Sequence, residues 1–150
     1  MALRKIRLSN DEILRKKCRT VEVVDDKIRQ ILNDMVDTMY NAENCGGLAG
    51  PQVGILKRLV VIDMGQGLIK LVNPKIIKQS GSQEVTEGCL SIPNVFGKLN
   101  RPAKVTVKAL NENGEEIILI GIGDLAKCFC HEIDHLEGIL FTDLVTEYIK

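Results

Sequence analysis

Apolar positions along this chain alternate between two periods, and the switch points divide it into elements. From Asp25 the residues Ile28, Ile31, Leu32, Met35, Val36 and Met39 recur at steps of three and four. That spacing puts them on one face of a helix of about four turns. Asp25 or Asp26 can cap its start, and the asparagines and glycines of "NAENCGG" (41–47) break the period. "RLVVIDM" (58–64) and "IKLVNPKII" (69–77) are rich in β-branched residues and predict strands, interrupted by Gly65, Gly67 and Pro74. Two alternating runs, "AKVTVKAL" (103–110) and "EEIILIGI" (115–122), flank Asn113-Gly114 and predict a hairpin. Helical spacing returns over 124–137 with Leu125, Cys128, Phe129 and Ile133, Asp124 being a candidate N-cap and Gly138 a candidate stop. Hairpins and helices without regular βαβ alternation predict an α+β fold.

Composition narrows the function classes. At 150 residues, with 45% hydrophobic and 27% charged positions, the chain fits one domain spanning 1–150 with a real core. Lys+Arg and Asp+Glu balance at 20 each, so no basic field points to nucleic acid. Trp is absent, leaving few platforms for stacked bases. No apolar run approaches the roughly 20 residues of a membrane span, and "MALRKIRLSNDEILRKK" lacks a secretory apolar segment. Leu3, Ile6 and Leu8 alternate there with basic residues, which predicts an edge strand or an ordered arm. Five cysteines, an odd number with no signal before them, point to free thiols in a reducing cytoplasm.

The chemistry concentrates in "KCFCHEIDHLEG" (127–138), which holds both histidines of the chain. Four residues is just over one helical turn, so His131 and His135 share a helix face and can share a metal ion. Glu132 stands beside them to handle a proton. A chance pair on an ordinary helix is the plain alternative. No further histidine follows, and only 15 residues remain after His135. Glu147 is a formal third ligand near the terminus, while Asp134 and Glu137 point elsewhere around the helix. A cysteine from upstream is the best donor. Cys89 in "TEGCLSIPN" leads, because Gly88 permits close approach and Pro93 limits regular structure beyond. Cys128 can share the histidine face but suits a buried core thiol, and Cys18 and Cys45 suit small apolar fillers.

Three segments together resemble the peptide deformylases, metallohydrolases that remove the formyl group from N-formylmethionine of nascent chains. They are "CGGLAGPQ" (45–52), "EGCLS" (87–91) and "HEIDH" (131–135), in the family's order and at similar spacing, and the resemblance covers nearly the whole chain. It implies an α+β fold with antiparallel or mixed sheets packed around a central His-Glu-x-x-His helix, and a helix in the N-terminal half. It implies Cys89, His131 and His135 as ligands of one divalent metal, typically Fe²⁺, with Ni²⁺, Co²⁺ or Zn²⁺ able to substitute. Glu132 would take a proton from the attacking water and deliver it to the departing amine. Gln52 and the backbone N–H of Leu90 would form an oxyanion hole. The peptide would lie along Gly46, Gly47 and Leu48 like an added strand. Val85, Leu125 and Cys128 would line a methionine pocket, and Arg101 would pair with Glu87 to hold the cysteine turn. The implied partner is the formylated nascent peptide, and some relatives continue past the equivalent of Lys150 into a helix that docks on the ribosome. Sequence-specific nucleic-acid binding and membrane binding are not implied.

The first motif departs from the family pattern. Cys45 stands where glycine is usual, Gly46 where an aliphatic residue is usual, and Gly50 where alanine is usual. A positive φ at 45 would strain a cysteine and shift the turn onto Gly46. An absent side chain at 46 would loosen a wall of the methionine pocket. Three other readings compete: a His-Glu-x-x-His protease, a paralogue that binds formylated N-termini with weak turnover, and a structural metal closed by Cys45 or Cys128.

Overall fold

The computed structural model describes residues 2–150. Helix α1 (Asp26–Asn41) is followed by β1 (Gly47–Ala49), β2 (Leu59–Ile62), β3 (Ile69–Ser80), β4 (Gln83–Cys89), β5 (Ile92–Arg101), β6 (Lys104–Leu110) and β7 (Glu116–Ile122). Helix α2 (Asp124–His135) and the short strand β8 (Glu147–Ile149) complete the chain. One sheet has the order β1-β2-β3-β6-β7 and the other β4-β5-β8. Every ladder is antiparallel, and the isolated bridge between Arg19 and Lys57 is parallel.

Strand β2 shows why the architecture is layered. All four of its residues are buried. Leu59 and Val61 join the cluster formed by Ile28, Leu32, Met35 and Met39 of α1, whereas Val60 and Ile62 join Ala126, Phe129 and Ile133 of α2. Alternate side chains leave opposite faces of a strand, so the two helices sandwich the five-stranded sheet. A continuous apolar run is what such a doubly covered strand requires. The apolar face of α1 is the one its period predicted, and Asp25 caps it by accepting a hydrogen bond from the Ile28 N–H at 3.0 Å. A third cluster of Leu14, Ile92, Leu99, Leu140 and Phe141 fastens the smaller sheet.

Local details differ from the expectations in four places. The hairpin turn runs over 111–115, not the two residues Asn113-Gly114. Asn111 Oδ1 accepts from the N–H groups of Asn113 and Glu115, and Gly114 alone takes positive φ, whereas a two-residue type I′ turn needs two such residues. Pro74 does not end its strand; β3 runs on to Ser80 through a register shift between Val72 and Lys75. A bulge leaves a residue out of the ladder, so the missing proline N–H goes unneeded. Asn73 beside it takes φ 53° and clamps Val21 by two bonds of 2.8 Å. Pro93 likewise lies inside β5, where the register shifts between Glu87↔Gly97 and Cys89↔Ile92. Asp124 is the first residue of α2 rather than its cap: Gly123, at φ 64°, turns the chain into the helix.

The N-terminal segment is an ordered arm. Its Arg4 N–H donates to Thr38 Oγ1 at 2.9 Å and its guanidinium pairs with Asp34 at 3.0 Å. The Arg7 N–H then donates to the Gln52 carbonyl at 2.7 Å. The arm thus ties α1 to the turn that follows β1.

Candidate metal centre

Helix α2 packs on the face of the five-stranded sheet that carries Val60 and Ile62, and it presents His131 and His135 toward Cys89 at the end of β4. The ligand atoms of Cys89, His131 and His135 all lie within 4.8 Å of one another. Cys89 Sγ is 3.5 Å from His135 Nε2. The two imidazoles meet edge to face with centroids 5.0 Å apart, and Phe141 stacks beside His131 at 6.1 Å. One thiol and two ring nitrogens converging on a point form a donor set suited to a borderline divalent cation. Glu147 is placed outside this cluster: it pairs with Lys98 in the smaller sheet.

Glu87 supports the set from behind. Its Oε1 is 2.6 Å from His131 Nδ1, which leaves Nε2 of that ring facing the cluster. Arg101 grips the same carboxylate with two bonds, 2.7 Å to Oε2 and 2.9 Å to Oε1. Its remaining arm reaches Asp134 at 2.7 Å. The resemblance anticipated the Glu87–Arg101 pair; Asp134, expected to point away from the metal, does so and completes a triad. Burial opposes a charge on Glu87, but the Arg101 and His131 bonds win and hold its carboxyl down at about 2. Burial likewise opposes charge on His131, yet Glu132, Cys89 and Glu87 push its ring up to about 10. At His135 burial dominates, and with the nearby positive charges of His131 and Arg101 it pulls the ring down to about 3. The two histidines of one motif therefore sit in opposite electrostatic environments.

Glu132 is buried, its Oε1 finds no hydrogen-bond partner, and burial pushes its carboxyl up to about 7. A carboxyl raised toward neutrality is suited to accept and return a proton. Gly47 makes room for it: a Cβ there would lie 2.7 Å from Glu132 Oε2 and 3.0 Å from Cys128 Sγ.

Gln52 is buried in the 3₁₀ turn Gly50–Val53. Its Oε1 accepts from the Ala49 N–H at 3.0 Å, which orients the amide so that Nε2 lies 3.4 Å from Cys89 Sγ and 3.3 Å from Ser91 Oγ. Gly50 permits that turn, since a Cβ would lie 2.6 Å and 2.7 Å from the carbonyl oxygens of Ile55 and Lys57. Gly50→Ala should therefore cost about 1–3 kcal/mol by overpacking, a melting-point drop of roughly 3–10 °C. Differential scanning calorimetry checks it.

These groups open into a cleft of about 520 Å³. Gly46, Gly47, Gln52, Glu87, Leu90 and Cys128 line it. Four residues that the resemblance assigned to the peptide path, the methionine pocket and the cysteine turn do not. Val85 packs into the cluster of the smaller sheet and Leu125 against the main core; Leu48 is fully buried, and Arg101 lies behind Glu87. Met64 and Lys127 line the cleft instead, and nothing in their local sequence marks them. Cys45 lines it too, but it does not close the metal set: its thiol donates to the Gly47 carbonyl at 3.2 Å and burial pushes it up to about 12. Nor is Cys45 strained, because the positive φ falls on Asn44, at 55°, a residue type that tolerates it. Cys128 is a buried thiol held well above its ordinary range by burial, and Cys18 is core.

Residues 3–149 match the family described as polypeptide deformylase. The chain is 77% identical over 150 residues to peptide deformylase 2 of Clostridium acetobutylicum, covering 100% of both chains. It is 57% identical to a peptide deformylase of Acetivibrio thermocellus, over 99% of this chain and 87% of that one. Its fold superposes on the crystal structure of peptide deformylase from Thermotoga maritima with a TM-score of 0.94 at 35% identity, covering 97% and 99% of the two chains.

Proposed function

The chain belongs to the polypeptide deformylase family, and from that premise we propose how its cleft carries out the family's reaction. The reaction is metal-dependent hydrolysis of the N-formyl group from nascent polypeptides, which releases formate and frees the amine. The observation that supports the assignment of roles is the convergence of Cys89, His131 and His135 beside the buried Glu132, whose Oε1 has no hydrogen-bond partner.

Cys89, His131 and His135 hold one divalent ion, which we assign as Fe²⁺, with Ni²⁺, Co²⁺ or Zn²⁺ able to replace it. Bound there, the ion supplies Lewis-acid polarisation of the formyl carbonyl and eases ionisation of the attacking water. The peptide of N-formylmethionine lies along β1, whose outer edge is free because β1 ends its sheet. Glu132 takes the proton of the attacking water and returns it to the departing amine nitrogen. The Gln52 amide and the Leu90 N–H donate to the formyl oxygen as its charge develops, each donor contributing about 3 kcal/mol. Glu87, gripped by Arg101, keeps the His131 ring in the tautomer that presents Nε2.

A paralogue with weak turnover is not favoured: Asn44 absorbs the turn at Cys45, and the Gly50 turn carries Gln52 in place. We read residues 1–150 as one catalytic unit acting in the cytoplasm. The described cysteines are all free thiols, which supports a reducing compartment. No described helix is long and apolar enough to cross a membrane. Docking on the ribosome would bring enzyme and substrate together, and co-sedimentation reads it directly.

Formate release from a formyl-Met tripeptide, measured on anaerobically purified protein, tests the reading. Exhaustive chelation should abolish release, one equivalent of Fe²⁺ or Ni²⁺ should restore it, and metal analysis should give one ion per chain. Undiminished release from metal-free protein would refute it.

A further inference from the structure

Gly46 lacks the side chain that would face the cleft, yet the cleft is not open there. A Cβ built on Gly46 lands inside the contact distance of the Met64 Sδ, with the Met64 Cε at 3.7 Å and Cγ at 3.8 Å. The thioether of Met64 therefore occupies the volume that a side chain at 46 would claim. Gly46 also anchors this arrangement through its carbonyl, which accepts from the Asp63 N–H at 2.9 Å. Asp63 in turn is held by Tyr40 Oη at 2.6 Å and by the Gly65 N–H at 2.9 Å. The backbone that carries Met64 is thus pinned to β1 and α1, while its side chain packs against the core beside α2 and lines the cleft with Cys128.

A methionine wall differs in kind from one built on β1 itself. Its unbranched thioether turns about three bonds and conforms to what it meets, whereas a β-branched side chain at 46 has one stiff rotamer. Met64 also comes from a segment outside the three motifs.

Resting on the deformylase reading of the cleft, we propose that Met64 is a specificity-determining residue whose thioether replaces the side chain absent at Gly46. It forms an adaptable apolar wall against the first side chain of the formyl peptide.

The test measures kcat/KM for three formyl tripeptides that differ only in a first residue of Ala, Met or Phe. The enzymes are wild type, Met64→Ala, Met64→Leu, Gly46→Val and the double variant Gly46→Val/Met64→Ala. Met64→Ala should raise the Phe-to-Met ratio of kcat/KM about tenfold, the scale of one apolar group in such a pocket. Met64→Leu keeps the bulk but branches it, and should lower the ratio. Gly46→Val alone should depress the formyl-Met value, because its side chain drives Met64 into the cleft. The double variant should recover most of that loss, a non-additive pair. A purely structural role would move all three substrates together. Equal changes across the substrates, or additive effects in the cycle, with wild type active, would overturn the proposal alone. A wild-type enzyme that releases no formate from any of the three would overturn the site reading and the proposal with it.

Discussion

Replacing Glu132 with glutamine should lower kcat for formate release by about 10²–10⁴-fold, the range typical of a lost proton carrier. The substitution keeps the shape of the side chain, so Gly47 and Cys128 still pack around it, but the amide cannot take a proton from water. Metal content should stay at one ion per chain, because Cys89, His131 and His135 are untouched. The melting temperature should hold or rise. Glu132 is buried with an unsatisfied Oε1, and a neutral group is cheaper to bury than a carboxylate. Activity and stability thus move in opposite directions, as expected where a site stores an unfavourable burial for function. Parallel measurement of formate release, metal stoichiometry and thermal melting checks this. A variant that melts far below wild type and loses its metal would mean that Glu132 is structural.

Arg101→Ala should be the most destabilising single change near the site. Arg101 and Glu87 are both buried, and their two-armed pair is shielded from water. Removing one partner leaves the Glu87 carboxylate buried without its counter-charge, at a cost of about 3–5 kcal/mol. For a chain of this size that is a melting-point drop of roughly 6–20 °C. The damage also reaches the metal, because Glu87 orients His131 through Nδ1. Losing such a support typically weakens metal affinity by about 10–100-fold. Arg101→Lys should rescue only in part. A lysine keeps the charge but cannot grip Glu87 with two nitrogens while reaching Asp134 with a third. Calorimetry and competition of the bound metal against a chelator read the two effects separately. A fall in stability with unchanged metal affinity would detach the triad from the site.

Most of the departures between expectation and structure share one origin. The Asn111 turn, the bulge at Pro74 and the cap of α2 are decided by where a strand must deliver the next element. The identity of the local residues permits more than one answer there. Cleft membership shows it more sharply. Val85 and Leu125 flank motifs closely in sequence, yet each points into a core cluster, while Met64 reaches the cleft from the end of β2.

The sequence by itself determined the apolar stripe of α1, the existence of strand β2, the shared face of His131 and His135, and the short list of thiols that could join them. Each follows from spacing within a few residues, where backbone geometry sets which side chains are neighbours. Only the tertiary structure decided that Cys89 meets His135, that one arginine ties Glu87 to Asp134, and that Met64 fills the space beside Gly46. Those neighbours are separated by many residues, so their meeting depends on strand register and helix packing throughout the molecule, which no local pattern encodes.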